Sequence, residues 1–295
     1  VDGFLELATL KAMSGRRITI AEVNQKTDLI RALSHGAGKV TASLNKLVAV
    51  LDQVDREYHT GYQRGAKHVS YDLIPLLEAF ETCTYRLSEF YETLGDDVIR
   101  RIPSLAHKKH RKACAEFRQI ISAKRRTWTL ICNKMKHNQH ILTGRTVQWA
   151  ALCPVVIGYS LMAPKGRDGI IVSNELHKPP ERARSFNISM RQLIADFLKS
   201  DQAAASLIAA IDDECDADDL PQNSARLDII PALNIISRRG VWSLPKEKTM
   251  FDGFRMTEDA VILERQQAHV VSASYTSRFY LKVDAPTRSI EALSL

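Results

Sequence analysis

The chain has 295 residues, is 45% hydrophobic and 25% charged, and carries a formal net charge of +7. That length exceeds a minimal domain and fits one large domain or two ordinary ones, and the composition is that of a globular protein with a sizeable core. No apolar run approaches the roughly 20 residues that a membrane-spanning helix requires, and Val1 to Met13 lacks the charged, apolar, small-residue order of a signal peptide.

In chain order, Val40, Leu44, Leu47, Leu51 and Val54 recur at three- and four-residue intervals, which predicts a helix over 37–56 with one apolar stripe. The run Gly36-Ala37-Gly38-Lys39-Val40-Thr41 brushes against a phosphate-binding loop. It lacks the first glycine at the required spacing and follows no strand, so a nucleotide site is set aside. Over 70–94, Leu73, Leu77, Phe80, Leu87, Phe90 and Leu94 predict a second helix, with Gly95 placed to end it. A long third helix is expected after Pro103, with Ser104 as its N-cap. Its stripe is Cys114, Phe117, Ile121, Trp128, Ile131 and Met135. Three such stripes imply an antiparallel helical bundle.

Beyond 141 the pattern changes. Val147 to Met162 is apolar without helical period, and Pro164 to Gly169 is rich in turn formers before Ile170-Ile171-Val172, so a β-hairpin is expected. A helix returns over 187–211 on Met190, Ile194, Phe197, Ala204, Leu207 and Ile211. It runs into the acidic stretch Asp212 to Asp219, read as an exposed loop. Val271, Ala273, Tyr275, Phe279, Leu281 and Val283 keep period two, a half-buried strand. The class is therefore α+β, with an N-terminal helical bundle over 1–140 and a strand-rich region over 141–295, read as separate domains or as one continuous domain.

Charge is distributed unevenly. Residues 105–140 hold ten Lys and Arg against one acid, Glu116, so the remainder of the chain is slightly acidic. A single basic helix creates a local potential that attracts polyanions, RNA foremost; the bland counterpart is a solvated face neutralised by acids elsewhere in the fold. Arg111, Arg118, Lys124, Arg125, Arg126 and Lys134 are the expected phosphate contacts, while Trp128 falls on the apolar stripe and is expected in the core. Five scattered cysteines (Cys83, Cys114, Cys132, Cys153, Cys215) form no C-x-x-C pair, the usage of reduced thiols in a cytoplasmic protein. The histidine pairs His107/His110 and His137/His140 are crowded by lysines that repel a dication, so neither a metal nor a cofactor is expected.

At about 100° per residue, Arg126, Asn133, His137 and His140 fall within roughly 60° of one another on a helix. Imidazole moves protons near neutral pH, and guanidinium or ammonium groups beside it neutralise a phosphate. His137, Asn133, His140 and Lys136 are thus the catalytic candidates for metal-free RNA cleavage. The plain alternative is a helix C-terminus enriched in cations because they suit its dipole.

The run Asn133-Lys134-Met135-Lys136-His137 at the end of a bundle helix resembles the HEPN superfamily, helical modules frequent in bacterial toxins and phage-defence proteins. The signature of that family is Arg, often followed by Asn, then four to six residues, then His. Asn133 matches the Asn and His137 the terminal His, while Cys132 stands where the family has its Arg. The resemblance covers about residues 37–140. It implies a helical bundle, a homodimer or larger assembly with motifs facing across a cleft, and RNA as substrate or ligand. Two readings follow: an RNA-binding HEPN-like protein acting as a metal-independent endoribonuclease of a toxin or phage-defence system, or a catalytically inactive HEPN-like subunit that scaffolds a protein or protein–RNA assembly. A third is a structural protein whose basic helix packs on an acidic partner.

Overall fold

The computed structural model describes residues 5–14, 23–63, 72–137, 139–148, 155–165, 169–211, 226–244, 246–257 and 260–269. A short strand β1 (Leu5–Glu6) precedes helices α1 (Ala8–Ser14), α2 (Val23–Gln63) and α3 (Ile74–Glu92). A π-helical turn (Thr93–Asp97) joins α3 to α4 (Val98–Arg101), and two 3-10 turns lead into α5 (Arg111–His137). Strands β2 (Ile141–Gln148), β3 (Val155–Lys165), β4 (Gly169–Val172) and β5 (Arg184–Ser185) follow, then α6 (Phe186–Ala209). The chain continues through β6 (Arg226–Leu227), α7 (Ile230–Ser237), β7 (Met250–Met256) and β8 (Val261–Gln267). The protein is α+β: helices lead, and the sheets are antiparallel and concentrated later. No helix among the described residues is long and apolar enough to cross a membrane.

The apolar stripes explain these helices. Val40, Leu44, Leu47, Leu51 and Val54 are all buried, as are Met190, Ile194, Phe197, Ala204, Leu207 and Ile211, because helical spacing puts each set on one face. Two boundaries differ from expectation. Gly95 does not end α3. The π turn admits an extra residue and the helix continues, with Gly95 buried where a side chain would crowd Ile121 Cγ2. Nor does Ser104 cap the basic helix: it lies in the 3-10 turn Pro103–Ala106. His107 then adopts extended backbone, and its Nδ1 accepts the Lys109 N–H at 3.4 Å. Lys108 and Lys109 are therefore off the helix, which starts at Arg111. The expected acidic loop over 212–219 and the strand over 271–283 lie outside the described residues.

The chain divides into two compact units. The first comprises Val1–Asn45, Cys83–Thr129 and Asp196–Pro231. Its core takes Leu33, Val40 and Leu44 from α2, Leu87 and Phe90 from α3, Phe117, Ile121 and Trp128 from α5, and Phe197 from α6. Phe90 and Phe197 pack with ring centroids 5.1 Å apart. The buried Asp201 carboxylate of α6 accepts the Ala8 and Thr9 N–H groups at 2.6 and 3.1 Å and so caps α1.

The second unit comprises Lys46–Thr82, Leu130–Ala195 and Ala232–Leu295. Here β3 is the central strand, paired antiparallel with β2 on one side and with β4 and β5 on the other. β2 was not anticipated from sequence, because Thr143, Gly144 and Arg145 break its apolar pattern. The turn-rich segment after Met162 does join two paired strands, as expected. Tyr159 of β3 packs against Phe80 and Phe186 at 4.5 and 5.2 Å. Arg191 of α6 is buried, and its Nη2 donates to the carbonyls of Ile236 and Arg239 at 2.6 and 3.0 Å, tying α6 to the end of α7.

Candidate nucleic-acid interface

The part of α5 within the first unit carries Arg111, Arg118, Arg125 and Arg126. Arg111, Arg118 and Arg126 are exposed and Arg125 is half-buried. None of the four forms an ion pair with a described residue. Arg111, Arg118 and Arg125 are seven residues apart, about 10.5 Å of axial rise per step with only ~20° of angular drift, so they line one edge of the helix. Arg126 sits one position round, and the exposed Ala115 and Ser122 lie between the cations on the same face. Small side chains there let a ligand backbone approach while the guanidiniums reach over it.

Of the two lysines of this segment, Lys124 is committed. Lys124 Nζ lies 3.2 Å from Asp196 Oδ1, with the lysine side chain 20% exposed and the aspartate 4%. The second carboxylate oxygen accepts the Trp128 indole N–H at 3.1 Å. Trp128 is buried, in the core as expected. Lys124 thus neutralises a buried carboxylate that holds this tryptophan, which is a correction to its expected place among the phosphate contacts. Lys112 makes only a long exposed pair with Glu116, at 3.9 Å.

The carboxyl-terminal end of α5 belongs to the second unit. Asn133, Lys136 and His137 are exposed there. Lys134 Nζ pairs with Glu175 at 2.5 Å and is largely covered. Cys132, at the position where the HEPN signature has arginine, is buried. His140 is a correction: α5 stops at His137, Gln139 takes left-handed backbone at φ 53°, and the His140 N–H turns back to the Lys134 carbonyl at 3.2 Å. The helical angle that grouped His140 with His137 does not apply past that turn.

The second dense cluster of ionisable groups, unforeseen from sequence, lies buried around β3. His177 Nε2 accepts the Leu161 N–H at 2.9 Å, which fixes that nitrogen as unprotonated, and burial pushes the imidazole pKa down. Burial opposes ionisation of Glu181, but His177 and Arg184, whose Nε donates to it at 2.6 Å, hold its carboxyl below the usual value. Glu247 accepts the Ser185 and Leu244 N–H groups at 2.8 Å each, while burial pushes its pKa up to about 8. His177, Glu181 and Glu247 are all buried, and their hydrogen bonds tie strands and loops together. Among the described residues no group of three or more His, Cys, Asp or Glu side chains is arranged to hold a metal.

No family model matches this chain, and neither a curated protein nor a solved structure matches it. What its own fold and surface define is an α+β protein with a line of arginines along one helix that form no ion pair with a described residue.

Proposed function

We propose that this protein binds RNA through the exposed face of α5. The observation that carries the reading is the row Arg111, Arg118 and Arg125, joined by Arg126, which meets solvent without an ion pair to any described residue. Planar guanidiniums suit phosphate oxygens, and a row of them follows a polyanion backbone. The resemblance of Asn133 and His137 to the HEPN signature supports RNA as the polyanion. The buried Cys132 at the arginine position favours a binding subunit, in a homodimer or larger cytoplasmic assembly of toxin or phage-defence type, over a nuclease. The test is a gel shift with mixed RNA in EDTA. Wild type retards intact RNA, and the triple variant Arg118→Glu, Arg125→Glu, Arg126→Glu does not. Equal retardation by both proteins refutes the reading.

A second reading, metal-independent RNA cleavage, is favoured by one observation: Asn133 and His137 are exposed one helical turn apart. His137 would take the proton of a 2′-hydroxyl, with Lys136 on the phosphate. RNA fragments in EDTA that disappear with His137→Ala mark this reading; intact RNA with wild type excludes it.

A further inference from the structure

A buried cation is costly unless something answers its charge. In the second unit, Arg184 donates to Glu181 and to the Leu176 carbonyl. Arg239 pairs with Asp52 and Asp55. Arg191 ends on the carbonyls of Ile236 and Arg239, where α7 presents the negative end of its dipole. Arg145 of β2 departs from this pattern. It is 7% exposed, yet its guanidinium meets only the Ser160 hydroxyl, from Nε at 2.9 Å, and the Met162 thioether, from Nη2 at 3.5 Å. Sulfur is a weak acceptor. No described carboxylate forms an ion pair with Arg145, so burial alone bears on its pKa and pulls it down.

Strand register explains where the guanidinium lies. Ile141 pairs with Met162, Thr143 with Ser160 and Arg145 with Gly158, so these six positions share one face of the sheet. Across from Arg145, Leu244 Cδ1 and the Arg184 carbonyl fill the space where a Gly158 side chain would stand. The arginine therefore runs along the sheet, over Ser160, toward Met162. That end is open, for Ile141 is 48% exposed. Ser160 is already committed: its hydroxyl donates to the Arg182 carbonyl at 2.8 Å and accepts from Arg145 Nε. The Nη1–Nη2 edge is left for another partner.

Two polar atoms here lack a partner without being sealed. Among the described residues, the side-chain atoms that are both enclosed and unpartnered include Arg191 Nε and His177 Nδ1 but no atom of Arg145 or Thr143. Neither Arg145 Nη1 nor Thr143 Oγ1 makes a hydrogen bond with a described residue, so each keeps contact with solvent, although Thr143 is only 4% exposed. A guanidinium edge offers two parallel N–H donors matched to two oxygens of a carboxylate or phosphate, and a hydroxyl two residues along the same face adds a third. The neighbouring acids do not supply that anion: Glu181 is held by Arg184 at 2.6 Å, and Glu247 by the Ser185 and Leu244 N–H groups. An arginine so covered cannot meet a phosphodiester, which carries sugar on both sides, so the anionic group must be terminal. We infer that Arg145 and Thr143 form a binding site for a terminal oxyanion, a carboxylate or a phosphate monoester, with the guanidinium edge as anchor and the Thr143 hydroxyl as second donor. This site is separate from the α5 arginines and does not rest on the RNA reading.

Met162 reports on the site, because its sulfur touches the guanidinium. The full chain is labelled with methyl-¹³C methionine at its six methionines, and the Met162 resonance is assigned with Met162→Leu. Inorganic phosphate, acetate and hexanoate are then titrated at constant ionic strength against chloride. At least one of them is expected to shift the Met162 methyl saturably below roughly 10 mM. Arg145→Lys keeps the charge but loses the fork, and is expected to weaken binding at least about tenfold. Thr143→Val removes the hydroxyl at similar volume and is expected to weaken binding roughly fivefold, which keeps the test open if the arginine variant does not fold. No saturable Met162 shift with any of the three anions overturns the proposal, as does a shift unchanged in Thr143→Val and in a folded Arg145→Lys. Saturation by phosphate alone identifies a phosphate monoester as the group bound, and saturation by the carboxylates alone a carboxylate. The triple Glu variant of α5 is titrated alongside. A Met162 shift that survives there supports the site even where RNA is not retarded, and one lost there assigns the anion to α5 and overturns the proposal.

Discussion

For the proposed RNA binding, salt dependence gives the sharpest test of which α5 cations would touch phosphate. Four arginines, Arg111, Arg118, Arg125 and Arg126, have no ion pair with a described residue, whereas Lys124 is held by Asp196 and Lys134 by Glu175. Each neutralised phosphate on a single strand contributes about −0.7 to the slope of log K against log salt. Four contacts therefore predict a slope near −2.8 and an affinity loss of roughly 50-fold between 50 and 200 mM salt. Single replacements of Arg111, Arg118, Arg125 or Arg126 by Ala should each flatten the slope by about 0.7. Lys124→Ala should leave it nearly unchanged, provided the variant stays folded, because its ammonium already faces a buried carboxylate. Fluorescence anisotropy of a labelled single-stranded oligonucleotide across a salt series measures all of these. A wild-type slope near zero, or slopes indifferent to all four arginine changes, refutes the assignment. So does a Lys124 effect equal to that of the arginines. An acidic protein partner in place of RNA would also give salt dependence, and competition by unlabelled RNA separates the two.

Other consequences follow from the same contacts. Asp196→Ala strands the Trp128 indole N–H and the Lys124 ammonium and should cost about 3–5 kcal/mol in urea unfolding, with Asp196→Asn costing less because it still accepts from the indole. Cys132→Arg would complete the HEPN signature that this segment resembles but drives a cation into a buried position, so it should destabilise the fold by about 2 kcal/mol or more and confer no EDTA-resistant cleavage. His177 has a pKa below that of the unfolded chain, so it is neutral in the fold and the unfolded state takes up more protons in acid. Its contribution to stability is therefore present above pH ~6.5 and lost as pH falls below it. The stability difference between wild type and His177→Gln, followed by chemical denaturation from pH 7.5 to 5, should shrink toward acid; a difference that grows contradicts the neutral assignment.

The α+β class was legible because helical and strand periodicities belong to neighbouring residues. Stripes of three- and four-residue spacing in α2 and α6 bury what they predict, the α5 stripe buries all but the half-buried Met135, and the turn-rich segment around Lys165 separates two paired strands. Boundaries were less legible. Gly95 has the residue type of a helix stop, yet a π turn absorbs it, because close packing against Ile121 rather than backbone freedom is what calls for glycine there. The end of α5 at His137 removed His140 from the face that helical arithmetic had assigned to it, since a left-handed residue at Gln139 redirects the chain.

The amino-acid order alone determined where positive charge accumulates, for ten cations between residues 105 and 140 need no tertiary partner to create a local potential. Which of those cations remain available was decided only by folding. Lys124 and Trp128 share a carboxylate on α6, 68 residues beyond the tryptophan, and no local pattern foretells that Asp196 would be carried there. The buried histidine at His177 and the covered guanidinium of Arg145 have the same origin. Their surroundings come from β2, β3 and the loops after β4 and α7, so they come into being only when distant segments pack and water is squeezed from between them.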